Sequence, residues 1–187
     1  PLYAALGPNA SAAVFATTPK NTRKVVLATN IAETSITIPG VRYVIDSGLV
    51  KEKIFSPLTS IETLQVLPIS QSSSLQRAGR AGREAPGECY RLYTREAFQA
   101  LETMPVAEIH RTELSGAVLQ LYAMHLDPFT FDWIDPPNQA LLQEAVLHLA
   151  ELGAIQSPKD GIQLTPLGHQ LASLPVTPSY ARLLLAA

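Results

Sequence analysis

The sequence has little of what would place a protein in a membrane or in an oxidising compartment. Cys89 is the single cysteine among 187 residues, which excludes an internal disulfide framework and fits a reducing compartment. No apolar run approaches the roughly 20 residues of a membrane span, and the N-terminus lacks the layout of a signal peptide. We therefore expect an intracellular protein without membrane contact, in the nucleus or the cytoplasm.

Charge excess and metal-ligand patterns are absent as well. A formal net charge of −2 provides no overall positive field, so any contact with nucleic acid must be local, through placed side chains. The four histidines share no ligand spacing with one another or with Cys89, so no metal site is expected. The motif Gly-x-x-x-x-Gly-Lys-Ser/Thr, whose backbone cradles nucleotide phosphates, does not occur.

Hydrophobic residues make up 47% of the chain, enough for one ordinary domain and part of another. The chain opens on Pro1 and not on an initiator methionine, which suggests a fragment or a processed product.

The first half predicts an α/β arrangement. Apolar runs at 24–28 and 41–45 are typical of buried strands, and the second run leads into Asp46-Ser47-Gly48. Polar residues at the carboxyl ends of strands are where open α/β sheets bind ligands. Three further signals follow: a helix start of capping-box type at Asn30 and Glu33, a β-hairpin over 50–55 and 61–67, and a strand over 89–93.

The second half predicts two helices and a small β wing. Leu114 to Tyr122 and Leu141 to Leu149 have helical spacing, and Gly153 is the residue expected just after the second helix. Lys159-Asp160-Gly161 predicts a turn between two short strands, and Thr165-Pro166 a helix start. Helix, helix and wing are the parts of a winged-helix domain. Trp133, near two phenylalanines, is expected to pack in a core or against a neighbouring domain, with stacking on bases as the alternative.

The most informative segment is the octapeptide Gln76-Arg77-Ala78-Gly79-Arg80-Ala81-Gly82-Arg83. As a helix, it would place Gln76, Arg80 and Arg83 on one face and Arg77 to the side. Guanidinium groups are always charged and present a planar fork of donors that matches phosphate oxygens. Two glycines within four residues are costly in a helix, which favours a close backbone approach at this place. The alternative is a solvated arginine-rich face.

This octapeptide resembles motif VI of superfamily 2 helicases, in the form found in the DEAH/RHA group of RNA helicases. The resemblance implies that Gln76 orients the attacking water or touches the γ-phosphate of ATP. It also implies that Arg80 and Arg83 are arginine fingers, which stabilise charge on the transferred phosphoryl group. Arg77 is expected to act through packing or through ion pairs between domains.

Thr29-Asn30-Ile31-Ala32-Glu33-Thr34-Ser35-Ile36-Thr37-Ile38 resembles motif V of the same family. The resemblance assigns Thr29 and Asn30 to the sugar-phosphate backbone of RNA, and Ser35 and Thr37 to the response to bound nucleotide. Hydroxyls and amides at a strand end can bond phosphates without reading bases. Many relatives carry an Asp where Pro39 stands, so contacts to the ATP ribose are expected to differ here.

The resemblance covers essentially the whole chain and implies its architecture. We expect an α/β fold with a truncated RecA-like second helicase domain, of the P-loop NTPase fold, at 1–94. An α+β winged-helix domain at 95–164 and the first helices of a helical, ratchet-like domain at 165–187 should follow. The hairpin over 50–67 resembles the one that the family places near the point of strand separation.

The family also implies cofactors and partners. ATP and Mg²⁺ are expected, held mainly by a first RecA-like domain, since the sequence has no Asp-Glu-x-His motif to hold a metal and a water. RNA, that first domain and a G-patch-type activator on the winged helix are the expected partners. The function implied is the C-terminal part of an ATP-dependent RNA helicase that couples hydrolysis to RNA translocation or unwinding, inactive as a fragment. The alternative is a catalytically inactive nucleic-acid-binding or scaffold protein that retains the fold.

Overall fold

A computed structural model of the chain describes residues 1–156 and 161–187. Contacts divide it into two compact units, of which the first comprises 1–52 and 64–105 and the second comprises 53–63 and 106–187. The predicted domain boundaries after residues 94 and 164 remain predictions.

The elements follow one another in the order expected for an α/β part and a helical part. The strands are β1 (Tyr43–Asp46), β2 (Leu49–Ser56), β3 (Ile61–Pro68), β4 (Glu88–Arg91), β5 (Ile155–Gln156) and β6 (Gln163–Leu164). The helices are α1 (Pro8–Phe15), α2 (Gln71–Ala78), α3 (Arg95–Gln99), α4 (Ser115–Ala123), α5 (Gln139–Glu151), α6 (Pro166–Ala172) and α7 (Pro178–Ala186). Within the described residues, no helix is both long and apolar enough to cross a bilayer.

A parallel pair of strands organises the first unit. β1 and β4 pair in the register from Tyr43 with Glu88 to Asp46 with Arg91. Parallel neighbours need a long crossover connection, which here includes α2. Strands β1 and β4 and the hairpin of β2 and β3 confirm the strands predicted over 41–45 and 89–93 and the predicted hairpin.

The strand predicted over 24–28 is wrong. This segment makes a single parallel bridge, between Leu2 and Ala28, and Val25 and Leu27 are each 74% exposed. An apolar run forms a buried strand only where a continuous ladder and covering side chains exist on both faces. In this structure the ladder is limited to the hydrogen bonds around Leu2.

Helix capping in the first unit differs from the prediction at Asn30. Asn30 does not start a capping box: Thr29 precedes a short 3₁₀ turn at Asn30–Ala32, without a side-chain cap. The predicted partner Glu33 forms an ion pair with Arg77 instead. At α2, by contrast, the Ser70 hydroxyl accepts a hydrogen bond from the amide of Ser73 and thereby caps the helix.

The second unit has the predicted helices and wing. α4 and α5 pack through a shared apolar core that includes Val118, Leu149 and, from the hairpin tip, Phe55. Gly153 (φ +72°) follows α5 in a Schellman arrangement: its amide donates to Ala150 and that of Ala154 donates to Leu149. β5 and β6 form the antiparallel wing. Of the predicted Lys159-Asp160-Gly161 turn, the first two residues lie outside the described part of the chain.

Side chains in the second unit bear on two further predictions, the helix start at Thr165 and the packing of Trp133. The Thr165 hydroxyl accepts from the amide of Gly168 and thereby caps α6, with Pro166 in the first turn. Trp133 is only partly exposed, donates from Nε1 to the carbonyl of Pro128 at 2.9 Å and meets the Phe131 ring edge-on at 5.0 Å. These contacts favour the packing role of Trp133 over stacking on bases.

A buried group of charges joins three segments of the first unit. Arg77 donates from Nη1 to Oδ1 of Asp46 at 2.8 Å and from Nε to Oε2 of Glu33 at 3.0 Å. The side chain of Asp46 is fully buried, and it also accepts from the Gly48 amide at 3.0 Å and the Tyr93 hydroxyl at 2.7 Å. We call Glu33, Arg77 and Asp46 the carboxylate–arginine triad.

The hydrogen bonds decide the protonation state of this triad. Burial disfavours the charge of Asp46, but donors from Gly48, Tyr93 and Arg77 outweigh it and lower the pKa of the carboxyl. Burial likewise opposes the charge of Arg77, and hydrogen bonds to Asp46 and Glu33 nevertheless raise the pKa of its guanidinium. Both groups are therefore charged at neutral pH.

We predict that Asp46→Asn will destabilise the first unit by about 3 kcal/mol at pH 7, because it breaks a buried ion pair while Arg77 stays buried. The protection of the β1 and β4 amides against hydrogen exchange should then fall on the order of 100-fold. Because the pKa of Asp46 is lowered on folding, its contribution is present above the unfolded value of about 4 and disappears as the pH falls further. The difference between variant and wild type should therefore shrink at pH 3.

The matched control is Asp132→Asn, which removes a carboxylate from an exposed position in the second unit. It should leave the protection of β1 and β4 unchanged. Equal protection in the Asp46→Asn and wild-type proteins at pH 7 would contradict a stabilising role for the triad.

Candidate functional site

The helix that carries the arginines ends earlier than the sequence predicts. α2 stops at Ala78, and residues 79–85 continue as turns and bends. The amides of Arg80 and Ala81 donate to the carbonyls three residues earlier, those of Arg77 and Ala78. The single helical face for Gln76, Arg80 and Arg83 is therefore wrong: Gln76 is exposed on the helix, and both arginines lie on the turns after it.

The predicted close approach at Gly79 and Gly82 is wrong as well. A Cβ on Gly82 would meet open space, and one on Gly79 would touch only carbonyls of the preceding turn at 3.4 Å. Because the helix has already ended, these glycines do not carry the cost of a helix interior. The tight position is Gly87, where a Cβ would lie 2.3 Å from the carbonyl oxygen of Ala81.

The structure brings the two predicted motifs together. Nη1 of Arg83 donates to the hydroxyl of Thr37, and the Gly40 amide donates to Oε2 of Glu84 at 2.9 Å. Thr37 and Arg83 are both exposed, as is Ser35. Residues assigned from two separate stretches of sequence are therefore in contact with each other.

Arg80 is distinguished by donors that have no partner. Its Nε and Nη1 atoms are out of contact with solvent, and neither finds a hydrogen-bond partner among the described residues. Burial, together with the positive charge of Arg83, lowers the pKa of Arg80, and the charge of Glu33 opposes this in part. Two neighbouring guanidiniums and unsatisfied donors form a surface that an anion would stabilise.

Thr29 and Asn30 are exposed, at the start of the 3₁₀ turn that leads to Glu33. The amide of Thr29 donates to the carbonyl of Leu2 at 3.1 Å, and this hydrogen bond fixes the backbone at Thr29. Both side chains are available to a ligand. Pro39 is exposed at the other end of the same stretch, next to Gly40.

The sequence singled out Asp46 and Glu33 for other reasons and did not pair them. Asp46 follows a strand, Glu33 has capping spacing, and Arg77 interrupts an arginine motif, but nothing in those local patterns indicates that the three meet. Arg77 was predicted to act through packing or through ion pairs between domains; its ion pairs with Glu33 and Asp46 instead lie within the first unit, because both carboxylates belong to it.

Metal ligands do not gather in the described residues: no group of three or more His, Cys, Asp or Glu side chains there could hold a metal ion. Cys89 is half-buried, and burial raises the pKa of its thiol, with the charge of Asp46 adding to the effect.

Two family descriptions match the chain. Residues 1–85 match the helicase conserved C-terminal domain, and residues 145–176 match the winged-helix helicase associated domain, HA2.

Relatives of similar sequence extend over nearly all of this chain. The ATP-dependent RNA helicase DHX33 of Drosophila melanogaster is 47% identical over 186 residues, covering 100% of this chain and 27% of that protein. DEAH10 of Arabidopsis thaliana, a pre-mRNA-splicing factor ATP-dependent RNA helicase, is 46% identical and is matched over 26% of its length. The chain thus spans about a quarter of the length of these curated relatives.

A solved structure shares the fold. The DEAH/RHA helicase HrpB of Escherichia coli superposes with a TM-score of 0.90 at 37% identity, covering 100% of this chain and 23% of that one. The match confirms the mixed α/β fold, with a RecA-like part and a winged helix. Fold, family descriptions and relatives agree, and the chain belongs to the DEAH/RHA family of RNA helicases.

Proposed function

We propose that this chain supplies part of the ATP site and part of the RNA site of an ATP-dependent RNA helicase. The observation that carries the proposal is the pair of unsatisfied donors on Arg80 beside the charge of Arg83. A γ-phosphate is an anion whose oxygens accept hydrogen bonds from guanidinium donors of this kind. The naming of the relatives as ATP-dependent RNA helicases supports the same reading.

The proposed chemistry assigns a role to each residue. Phosphoryl transfer needs positioning and charge stabilisation more than covalent participation by the protein. Arg80 and Arg83 stabilise the charge that develops on the γ-phosphoryl oxygens, and Gln76 orients the attacking water. Thr37, hydrogen-bonded to Arg83, and Ser35, two residues earlier in the chain, change their contacts when Arg83 turns to the phosphate.

Mg²⁺ does not fit the residues described here, since they contain no cluster of metal ligands. When bound, the metal would supply charge neutralisation at the phosphates. In our proposal, residues outside this chain, in a first RecA-like domain, hold the metal and the α- and β-phosphates. The chain alone is then not expected to hydrolyse ATP.

RNA binding is proposed at Thr29 and Asn30. A hydroxyl and an amide that are both exposed can bond phosphate and sugar oxygens of any sequence. The net charge of −2 supports contacts of this local kind over attraction by a general positive field. Coupling of hydrolysis to RNA translocation or unwinding follows if the RNA and phosphate groups move together.

Three further expectations remain predictions. They are a G-patch-type activator on the winged helix, an intracellular location in nucleus or cytoplasm, and a role for the hairpin tip near strand separation. The exposed Leu58, 96% accessible at that tip, is available for contact with a nucleic acid.

We predict that Arg80→Ala and Arg83→Ala, each made in the full-length protein, will reduce RNA-stimulated ATP turnover by about 10³-fold. Nucleotide affinity should fall much less, because the arginines act on charge that develops during transfer. Arg80→Lys should not restore turnover, since an ammonium offers a point charge and not a fork. The measurement is steady-state phosphate release at saturating RNA.

Arg95→Ala is the control, because Arg95 is exposed at the start of α3, outside the turn of residues 79–83. It should keep wild-type turnover. Normal turnover in both the Arg80 and Arg83 variants would overturn their assignment as arginine fingers, whereas a wild-type protein without turnover would favour the scaffold alternative.

We predict that Thr29→Ala with Asn30→Ala will weaken RNA binding equally for RNAs of different sequence, because both residues contact the backbone. A loss of about 30-fold is expected, since two hydrogen bonds of about 1 kcal/mol each are removed. Affinity for oligonucleotides of different base composition is the measurement, with Thr22→Ala, exposed in the same unit, as the control. A changed base preference in the double variant would argue against backbone contact.

A further inference from the structure

The stretch 29–38 depends on side-chain contacts for its position. Beyond the 3₁₀ turn at Asn30–Ala32 it contains no helix or strand, and its first residue is fixed by the bridge to Leu2. Two side-chain contacts connect it to the arginine segment: Glu33 to Arg77, and Thr37 to Arg83. The proposed RNA residues precede the first contact by three and four positions.

In the contact between Glu33 and Arg77, the arginine is held in place by other residues. Arg77 is bound by Asp46 at the end of β1 and donates to the carbonyl of Leu49 at 3.1 Å, so its guanidinium is held from the sheet side. The exposed fraction of the side chain is 15% for Arg77 and 11% for Glu33. Because little solvent reaches the ion pair of Glu33 and Arg77, its charges are weakly screened. A displacement of Glu33 therefore changes the interaction energy of the pair considerably.

The same carboxylate also acts on the proposed finger. Glu33 contributes an attractive charge interaction to Arg80, whose donors lack partners, while Arg77 holds Glu33 by a hydrogen bond. Arg80 lies three residues after Arg77 in the chain. The position of Glu33 therefore affects both the start of the turn that carries Arg80 and the electrostatic environment of Arg80 itself.

We propose that Glu33 is a positioning residue that, through Arg77, transmits the engagement of RNA at Thr29 and Asn30 to Arg80 and Arg83. RNA bound at Thr29 and Asn30 shifts the 3₁₀ turn, and the turn carries Glu33 with it. Arg77, anchored to Asp46, converts that shift into a changed placement of the two arginines. The inference rests on the proposed function and adds a residue that neither touches the RNA nor the phosphate.

The test is Glu33→Gln in the full-length protein, which keeps the shape and an acceptor oxygen but removes the charge. The ratio of RNA-stimulated to RNA-free ATP turnover should fall about tenfold, within the range seen for residues that carry coupling between sites. Arg77→Lys should lower the same ratio, because a single ammonium cannot bond two carboxylates with the geometry of a fork. Glu96→Gln, an exposed carboxylate in the first turn of α3, is the matched control and should keep the ratio.

A double variant separates coupling from general damage to the fold. If Glu33 acts through Arg77, then Glu33→Gln combined with Arg77→Lys should lower the ratio little more than either change alone. Losses that multiply would show two independent effects and overturn the proposal, even if one variant is less stable. Glu33→Gln alone decides the case if Arg77→Lys does not fold.

The outcomes also distinguish this inference from the proposed function. Loss of turnover in Arg80→Ala together with an unchanged ratio in Glu33→Gln would overturn the inference and leave the function standing. A wild-type protein without RNA-stimulated turnover would overturn both.

Discussion

A buried pair of opposite charges, Asp46 and Arg77, fixes the geometry of the first unit. Asp46 is fully buried, and it keeps its charge because Arg77, Tyr93 and the Gly48 amide all donate to it. A buried pair of this kind contributes little when intact, compared with an apolar substitute, and costs much when one partner is removed. Its value here is geometric, because it joins the end of β1, helix α2 and the stretch that begins at Thr29.

The three arginines of one octapeptide show how environment divides the work among identical side chains. Arg77 forms ion pairs with two carboxylates, so its role is to stabilise the fold. Arg83 is exposed and bonded to a neutral hydroxyl, which an anion can replace at small cost. Arg80 has buried donors without partners, the state in which a guanidinium gains most from binding an anion.

Much of the fold could be predicted from local pattern, and the site could be predicted in its residues but not in its geometry. The strand before Asp46, the hairpin and the cap at Thr165 each depend on residues close in sequence, so periodicity and capping rules were sufficient. The strand predicted over 24–28 was wrong because the exposure of Val25 depends on which other segments cover it, and the run itself does not contain that information. The resemblance to helicase motifs identified Thr37 and Arg83, whereas the hydrogen bond between them is visible only in the three-dimensional structure.

The failure of the helical face is informative about the site. A helix continued through residue 83 would hold Arg80 and Arg83 rigidly at a spacing set by its pitch. Turns after Ala78 leave each arginine with its own backbone freedom, limited by contacts with Thr37 and, for Glu84, with Gly40. An arrangement held by contacts with the stretch 29–40 responds to whatever moves that stretch, which a rigid helix would not do. Under the proposed coupling, the end of α2 before Gly79 lets the arginine segment respond to movement of the stretch 29–40.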